Sequence, residues 1–293
     1  MNVNQYKGTG VALVTPFNEN GDIDYKALEK LTNHVIEQGV QFLVALGTTA
    51  ETPTLSDDEK NAVLNIIQGV NNGRVPLVCG IGGNNTNDIL KKFQNTSLDK
   101  VDAILSVAPY YNKPTQAGMI AHFETLNAHT PKPIILYNVP GRTGSNMTAQ
   151  TTIHLANHCK NIIGIKEASG NMVQCMEIVK YAPENFRILS GDDNLILAQV
   201  ACGFHGVISV AANCFPAPFS KMVNLALASQ FTEARTLHYQ LLEGIDLLFA
   251  EGNPAGVKCV LAEMGMMQNQ FRLPIVPVSE QTHLKIQQFL KTL

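Results

Sequence analysis

Eight short apolar runs recur along the chain, each rich in β-branched residues and almost free of polar interruptions. Continuous apolar character is typical of parallel strands that are covered on both faces. The predicted strands are Gly10–Pro16, Phe42–Gly47, Pro76–Gly82, Ala103–Pro109, Pro133–Asn138, Ile162–Lys166, Phe186–Gly191 and Gly206–Ala212.

Amphipathic stretches with helix-start signals lie between these runs. Residues 55–70 contain Ser56 as the predicted N-cap and Glu59 three positions later, which is the pattern of a capping box. Strands that alternate with helices predict an α/β fold, specifically a (β/α)8 TIM barrel. The main rival is an open doubly wound sheet, but the glycine-rich dinucleotide loop expected after its first strand is missing.

The alternation stops after Ala212, and the rest of the chain shows apolar residues at helical spacing. We therefore predict a barrel over residues 1–215 and a C-terminal helical extension over residues 216–293. No linker-like segment separates the two parts, so the extension is expected to pack on the barrel.

Composition narrows the function classes. The 293 residues carry a net charge of -3, which gives no basic surface for nucleic acid. No apolar run reaches the ~18 residues of a membrane span, and the first residues lack a secretory signal. We expect a cytoplasmic protein that contacts neither membrane nor nucleic acid. Its six scattered cysteines are interpreted as reduced, buried thiols.

In a barrel, the chemistry lies where strands end and βα loops begin. The residues at these positions include one lysine, several hydroxyl groups, one arginine and few carboxylates: Thr48, Thr49, Tyr110, Tyr111, Tyr137, Arg142, Lys166, Gly191, Asp192, Asp193 and Ile208. Asp192 and Asp193 could ligate Mg²⁺, but such a site usually takes carboxylates from several strand ends. We therefore predict no metal.

Lys166 ends the apolar run Ile162–Lys166, although lysine is seldom buried without a partner. In a barrel mouth, partial desolvation would lower its pKa and make the amine a nucleophile for a carbonyl, giving a Schiff base. The alternative is a snorkelling or ion-paired lysine, with Glu167 as the candidate partner. Because adjacent strand residues point to opposite faces, Glu167 should not share the mouth with Lys166.

Two other strand-end residues allow both a structural and a chemical interpretation. Tyr137 could simply pack, or its hydroxyl could relay protons to an imine without bringing charge into the site. Arg142 could be a solvated loop residue, or its guanidinium could hold a substrate carboxylate through two hydrogen bonds.

Four motifs, spaced through the whole barrel, resemble the dihydrodipicolinate synthase/N-acetylneuraminate lyase family of Schiff-base aldolases. They are GTTAET (47–52), PYYNKPTQ (109–116), YNVPGRTG (137–144) and GIKEASGN (164–171). Within the family, the arginine of YNVPGRTG is typical of members that condense pyruvate with L-aspartate 4-semialdehyde in lysine biosynthesis. A sialic-acid or 2-keto-3-deoxy sugar acid lyase, and a non-catalytic keto-acid sensor, are the alternatives.

The resemblance implies a role for each matching residue. Lys166 would form the imine with pyruvate, and Tyr137, Thr48 and Tyr111 would form a proton relay. Thr49 would bind the pyruvate carboxylate, with Ile208 and Gly191 completing the substrate-binding set, and Arg142 would hold the semialdehyde. No cofactor or metal is implied.

The family also implies a homodimer or homotetramer, since Tyr111 reaches into the active site of a neighbouring subunit. Lysine-inhibited members often carry histidines after the GTTxE motif, where this chain has Asp57 and Lys60. Lys60 would repel an incoming ammonium group, although Asn84, Asp88 and Tyr110 could still line such a site. We predict weak or absent inhibition by lysine.

Overall fold

Eight parallel strands form a closed barrel in the computed structural model, which describes residues 3–293. Each strand pairs with the next in sequence, and β8 pairs with β1. The (β/α)8 prediction is confirmed. The strands are β1 Gly8–Ala12, β2 Phe42–Ala45, β3 Leu77–Gly80, β4 Ala103–Val107, β5 Ile134–Asn138, β6 Ile162–Glu167, β7 Arg187–Ser190 and β8 Gly206–Ser209.

Helices connect the strands and cover the outside of the barrel. They are α1 Tyr25–Glu37, α2 Asp57–Asn71, α3 Thr86–Asn95, α4 Gln116–His129, α5 Pro140–Thr143, α6 Ala149–His158, α7 Met172–Tyr181 and α8 Ile196–Ala201. Side chains of Ser56 and Glu59 form the predicted capping box at the start of α2, which satisfies amide groups that the helix itself leaves free.

Buried apolar side chains fall into two layers, as the pleat of a strand requires. One layer fills the barrel lumen and includes Val44, Val78, Leu105, Ile135, Leu189 and Ile208. The other lies between the sheet and the helices and includes Leu43, Leu77, Ile104, Leu136 and Ile165. Burial on both faces explains why the strands read as continuous apolar runs.

The first strand lies earlier than the predicted range Gly10–Pro16, since β1 spans Gly8–Ala12. Gly8 pairs with Gly206 on β8, and a Cβ atom on Gly206 would lie 2.0 Å from the Gly8 carbonyl oxygen. Gly206 therefore needs to be glycine for the close approach of the two backbones, and Gly8 has φ 96°, a conformation that favours glycine. A pattern of apolar residues contains no information about that requirement, so the strand was predicted too far along the chain.

Four further helices follow β8, namely α9 Pro216–Leu227, α10 Phe231–Phe249, α11 Ala255–Glu263 and α12 Glu280–Leu290. The α9 helix packs against β1 and α8, and α10 packs against α9, α11 and α12. The predicted C-terminal helices are confirmed, whereas the division of the chain after residue 215 stays a prediction. Within residues 3–293, no helix has the length and apolar character needed to cross a membrane.

Candidate active site

Lys166 lies on β6 with its side chain in the barrel lumen. Its register neighbour on β5 is Tyr137, and the Lys166 ammonium nitrogen lies 4.5 Å from the centre of the Tyr137 ring. Lys166 is only 5% exposed, although it lies near the C-terminal end of β6, at the open end of the barrel. The structure thus places a buried amine next to a buried phenol. From the sequence, the amine was predicted to form an imine and the phenol to relay protons to it.

Glu167 points to the opposite face of β6 and is fully buried. Its carboxylate accepts hydrogen bonds from the Asn138 amide at 3.0 Å, from the Ser169 backbone N–H at 2.8 Å and from the Gln174 amide at 3.3 Å. Burial raises the pKa of Glu167 despite these donors. The strand alternation predicted from the sequence holds here, so Glu167 is not the ion-pair partner of Lys166.

Gly191 follows β7 and leaves room for the lysine side chain. A Cβ atom at this position would lie 2.9 Å from Lys166 Cε and 2.5 Å from Ala168 Cβ. The Gly191 N–H donates to the Glu167 carbonyl oxygen at 2.8 Å, which keeps the loop against β6. A glycine here therefore gives the Lys166 stem a clear path across the mouth of the barrel.

Two carboxylates follow Gly191 and have different roles. Burial raises the pKa of Asp192 to about 6, although nearby Lys166 favours its charged form. Asp193 is buried, and one of its oxygens accepts hydrogen bonds from Val210 N–H at 2.9 Å and Ala211 N–H at 2.8 Å. Asp193 therefore fixes the chain that leaves β8, a role that sequence reasoning did not assign to it.

The threonine pair follows β2 and lies in a short 3-10 helix, Thr48–Ala50. Thr48 is exposed and Thr49 is buried. The Thr49 hydroxyl oxygen accepts a hydrogen bond from the Asn253 side-chain amide at 2.9 Å. Because a hydroxyl that accepts one hydrogen bond keeps its own proton, Thr49 remains able to donate to an anion. Ile208, the strand-eight residue predicted for this site, lines the lumen.

Tyr111 and Arg142 lie on the loops after β4 and β5, at the same end of the barrel as Lys166. Arg142 is exposed on the short helix α5, and Tyr111 is 87% exposed. The Tyr111 backbone N–H donates to the Thr143 carbonyl oxygen at 3.3 Å, so the two loops are joined. Among residues 3–293, the hydroxyl groups of Tyr137, Thr48 and Tyr111 form no hydrogen bonds with one another.

The predicted site residues thus divide into two groups. Lys166, Tyr137 and Ile208 face the lumen, with Gly191 beside the Lys166 side chain. The loop residues Thr48, Thr49, Tyr111 and Arg142 surround the open end. In the described part of the chain, no group of three or more histidine, cysteine, aspartate or glutamate side chains is placed to hold a metal ion.

At the start of α2, the Lys60 ammonium forms an ion pair with the Asp57 carboxylate at 2.9 Å. Repulsion of a ligand ammonium, as expected from the sequence, requires a free charge on Lys60. That premise is weakened because Asp57 compensates the charge. Asn84 and Tyr110 do lie together, since the Asn84 amide donates to the Tyr110 carbonyl oxygen at 3.1 Å. Weak or absent inhibition by lysine stays a prediction.

Three residues that hold the threonine loop were not predicted from the sequence. One belongs to the loop, and two belong to the C-terminal extension. They are Asn253, Lys258 and Glu51. Lys258 is fully buried within α11, and a lone lysine in an apolar helix does signal a buried partner. The identity of the partner could not be read from the sequence, because Glu51 lies 207 positions away.

Comparisons with known proteins agree with the barrel fold and its C-terminal helices. The model of the dihydrodipicolinate synthetase family matches residues 5–293. The 4-hydroxy-tetrahydrodipicolinate synthase of Parabacteroides distasonis is 48% identical over 98% of this chain and 97% of its own length. A monomeric dihydrodipicolinate synthase variant superposes with a TM-score of 0.96 at 35% identity, covering 99% of this chain and 97% of that one.

A further solved structure is the chloride-inhibited dihydrodipicolinate synthase of Acinetobacter baumannii in complex with pyruvate. It superposes with a TM-score of 0.94 at 38% identity and covers 98% of both chains. The family match spans the barrel and the C-terminal helices alike. This chain belongs to the dihydrodipicolinate synthetase family.

Proposed function

We propose that this protein is a lyase that condenses pyruvate with L-aspartate 4-semialdehyde to 4-hydroxy-tetrahydrodipicolinate, a step of diaminopimelate and lysine biosynthesis. Its relatives carry the name of that activity, and the site has the groups that the reaction needs. The observation that carries the proposal is the buried Lys166 amine beside the Tyr137 ring, 4.5 Å from its centre.

Lys166 supplies the covalent step. Its neutral amine attacks the C2 carbonyl of pyruvate, water leaves, and an iminium forms. Loss of a proton from C3 then gives an enamine, whose C3 attacks the aldehyde carbon of the semialdehyde. The amino group of the second substrate closes the ring at C2 and releases the lysine. The iminium serves as the electron sink, so these steps use no dissociable cofactor.

Proton transfer in these steps falls to Tyr137. It is the hydroxyl-bearing residue whose ring contacts the lysine, and it can exchange protons without adding a fixed charge to the site. We assign Thr48 and Tyr111 to the path that links Tyr137 with solvent. Their exposure at the open end of the barrel suits that role.

Substrate carboxylates are assigned to two loops. Thr49 donates to the pyruvate carboxylate, since its hydroxyl proton is left free by the Asn253 contact. Ile208 and Gly191 border the same space. Arg142 binds the carboxylate of the semialdehyde through its planar guanidinium, which matches a carboxylate with two parallel hydrogen bonds.

Self-association completes the proposed site. Tyr111 is 87% exposed, which suits entry of its side chain into the site of a second copy. We propose a homodimer or homotetramer in the cytoplasm, with sedimentation as the test. A monomer with full activity would contradict the assignment of Tyr111, because each chain would then work with its own residues.

Reductive trapping tests the proposal directly. Borohydride added with pyruvate should leave a reduced pyruvyl adduct, and peptide mapping should place it on Lys166. The Lys166→Ala variant should lose both the adduct and nearly all activity, whereas Lys160→Ala should keep both. Lys160 is a matched control because it is an exposed lysine just before the same strand.

A substrate panel separates the proposed reaction from other pyruvate aldolases. The enzyme should consume aspartate semialdehyde in a coupled assay and should not cleave sialic acid or 2-keto-3-deoxy sugar acids. Absence of the adduct on Lys166, or cleavage of a sugar acid as the main activity, would overturn the proposal.

A further inference from the structure

A buried ion pair joins the threonine loop to the C-terminal extension. It connects Glu51, directly after the short helix Thr48–Ala50, with Lys258 on α11, and the two side chains are 1% and 0% exposed. The Lys258 ammonium also donates to the Gln270 carbonyl oxygen at 3.0 Å. The nitrogen lies over the Phe17 ring, 4.2 Å from its centre. Water is thus excluded from a pair of opposite charges.

The second Glu51 carboxylate oxygen is also occupied. It accepts a hydrogen bond from the Arg272 backbone N–H at 3.2 Å. The backbone of Glu51 has φ 54°, in the left-handed region that non-glycine residues adopt at a cost. Side-chain contacts on both carboxylate oxygens offset that cost. The turn that ends the threonine segment is therefore held by residues of the C-terminal extension.

A separate contact reaches the threonine itself. Asn253 lies just before α11 and donates from its side-chain amide to the Thr49 hydroxyl at 2.9 Å. Lys258 lies on the first turns of the same helix. One end of α11 thus contacts both Thr49 and the carboxylate two residues further along the loop.

The energetics of a buried ion pair indicate that Glu51 and Lys258 position the threonine loop rather than stabilise the protein. Burying two charges costs desolvation free energy. Well-packed apolar side chains of similar size usually stabilise a folded protein at least as well as a buried ion pair does. Burial lowers the pKa of Lys258 to about 8 even though Glu51 opposes the shift, so the cation is kept at a cost. A directional contact that fixes one loop geometry is what an apolar pair could not supply.

We propose that Glu51 and Lys258 are positioning residues, which hold the Thr48–Thr49 loop of the active site in the geometry that binds the pyruvate carboxylate. This inference rests on the proposed function, in which Thr49 receives that carboxylate. Neither residue touches the substrate, and both act through the backbone that carries the threonines.

The test measures the pyruvate concentration that gives half-maximal borohydride trapping at Lys166. Lys258→Met and Glu51→Gln should raise it by about tenfold or more, since small displacements of a binding group have large effects. The double variant Glu51→Leu with Lys258→Met should recover thermal stability while keeping the weakened pyruvate response. Saturating pyruvate should still modify Lys166 in every variant.

Leu126→Ala is the control for general destabilisation. Leu126 is fully buried on α4 and far along that helix from the active-site loops, so its truncation should lower the melting temperature and leave the half-maximal pyruvate concentration unchanged. If the pair variants behave like Leu126→Ala, the pair is merely structural and the inference is wrong. If wild-type protein forms no adduct, the proposed function falls and takes this inference with it.

Discussion

Adding one methyl group at Gly191 tests whether the lysine needs the space that this glycine leaves. In Gly191→Ala the new Cβ would lie 2.9 Å from Lys166 Cε and 2.5 Å from Ala168 Cβ. Carbon atoms pack best at about 3.5 to 4.0 Å, so each contact is too short by roughly 0.6 to 1.5 Å. The Lys166 stem can rotate away, whereas Ala168 Cβ moves only with its backbone.

Two effects of different size follow. Overpacking of this kind costs about 1 to 3 kcal/mol of stability, which a domain of this size tolerates. Displacing the reacting amine by about 1 Å costs roughly 10²-fold in rate, because the attack geometry on the carbonyl is lost. We therefore expect Gly191→Ala to fold, with a modest loss in urea stability and a drop of about 10²-fold in kcat/KM.

Two further variants identify the cause. Gly69→Ala is the matched control, since a Cβ on Gly69 within α2 meets no atom within 4 Å. It should leave activity unchanged and stabilise slightly. The double variant Gly191→Ala with Ala168→Gly removes the shortest contact but keeps the one with Lys166 Cε. It should regain part of the stability and little of the activity.

The outcomes separate clearly. Wild-type activity in Gly191→Ala would show that Lys166 does not use this path. Recovery of activity in the double variant would show that the damage came through the backbone of Ala168, and the lysine argument would then be wrong.

Four other measurements probe the site and its surroundings. Tyr137→Phe should lower kcat by about 10² to 10⁴-fold if it transfers protons, and a near-normal rate would remove it from the relay. Asn253→Asp should weaken pyruvate binding in the trapping assay, because the new carboxylate would accept a hydrogen bond from the Thr49 hydroxyl and repel the substrate carboxylate; unchanged binding would contradict this. Burial lowers the pKa of His122 from 6.5 to about 4, so below pH 6.5 the unfolded chain binds a proton that the folded one does not. For this reason the free energy of unfolding should fall by about 2 kcal/mol between pH 7 and pH 5. The drop in urea midpoint over the same pH range should be smaller in His122→Leu than in the wild type. Added lysine should leave the rate nearly unchanged, since Asp57 at the start of α2 is already paired with Lys60; inhibition at low millimolar lysine would refute this.

The sequence predicted the barrel because its strands are buried on both faces, which leaves a continuous apolar signature. Against that background the lysine at the end of the sixth apolar run stands out, and strand alternation correctly predicted that Lys166 and Glu167 point to opposite faces. Strand one was misplaced because its first residue, Gly8, pairs with Gly206 through a close approach of the two backbones, and apolar patterns carry no information about such contacts.

Lys258 is conspicuous by the same rule as Lys166, since each is a lysine in an apolar segment, yet the two differ in what surrounds them. Lys258 has a carboxylate partner, whereas Lys166 has an aromatic ring and an open end of the barrel. Local sequence cannot tell these environments apart, because the Lys258 partner lies 207 positions away and is brought close only when α11 packs against the barrel. The distinction matters for the proposed function: Lys258 is tied to Glu51 inside the protein, whereas Lys166 lies at the open end of the barrel, where a carbonyl substrate can enter. The fold, by placing one lysine in a buried ion pair and the other at the open end of the barrel, is what favours Lys166 as the proposed nucleophile.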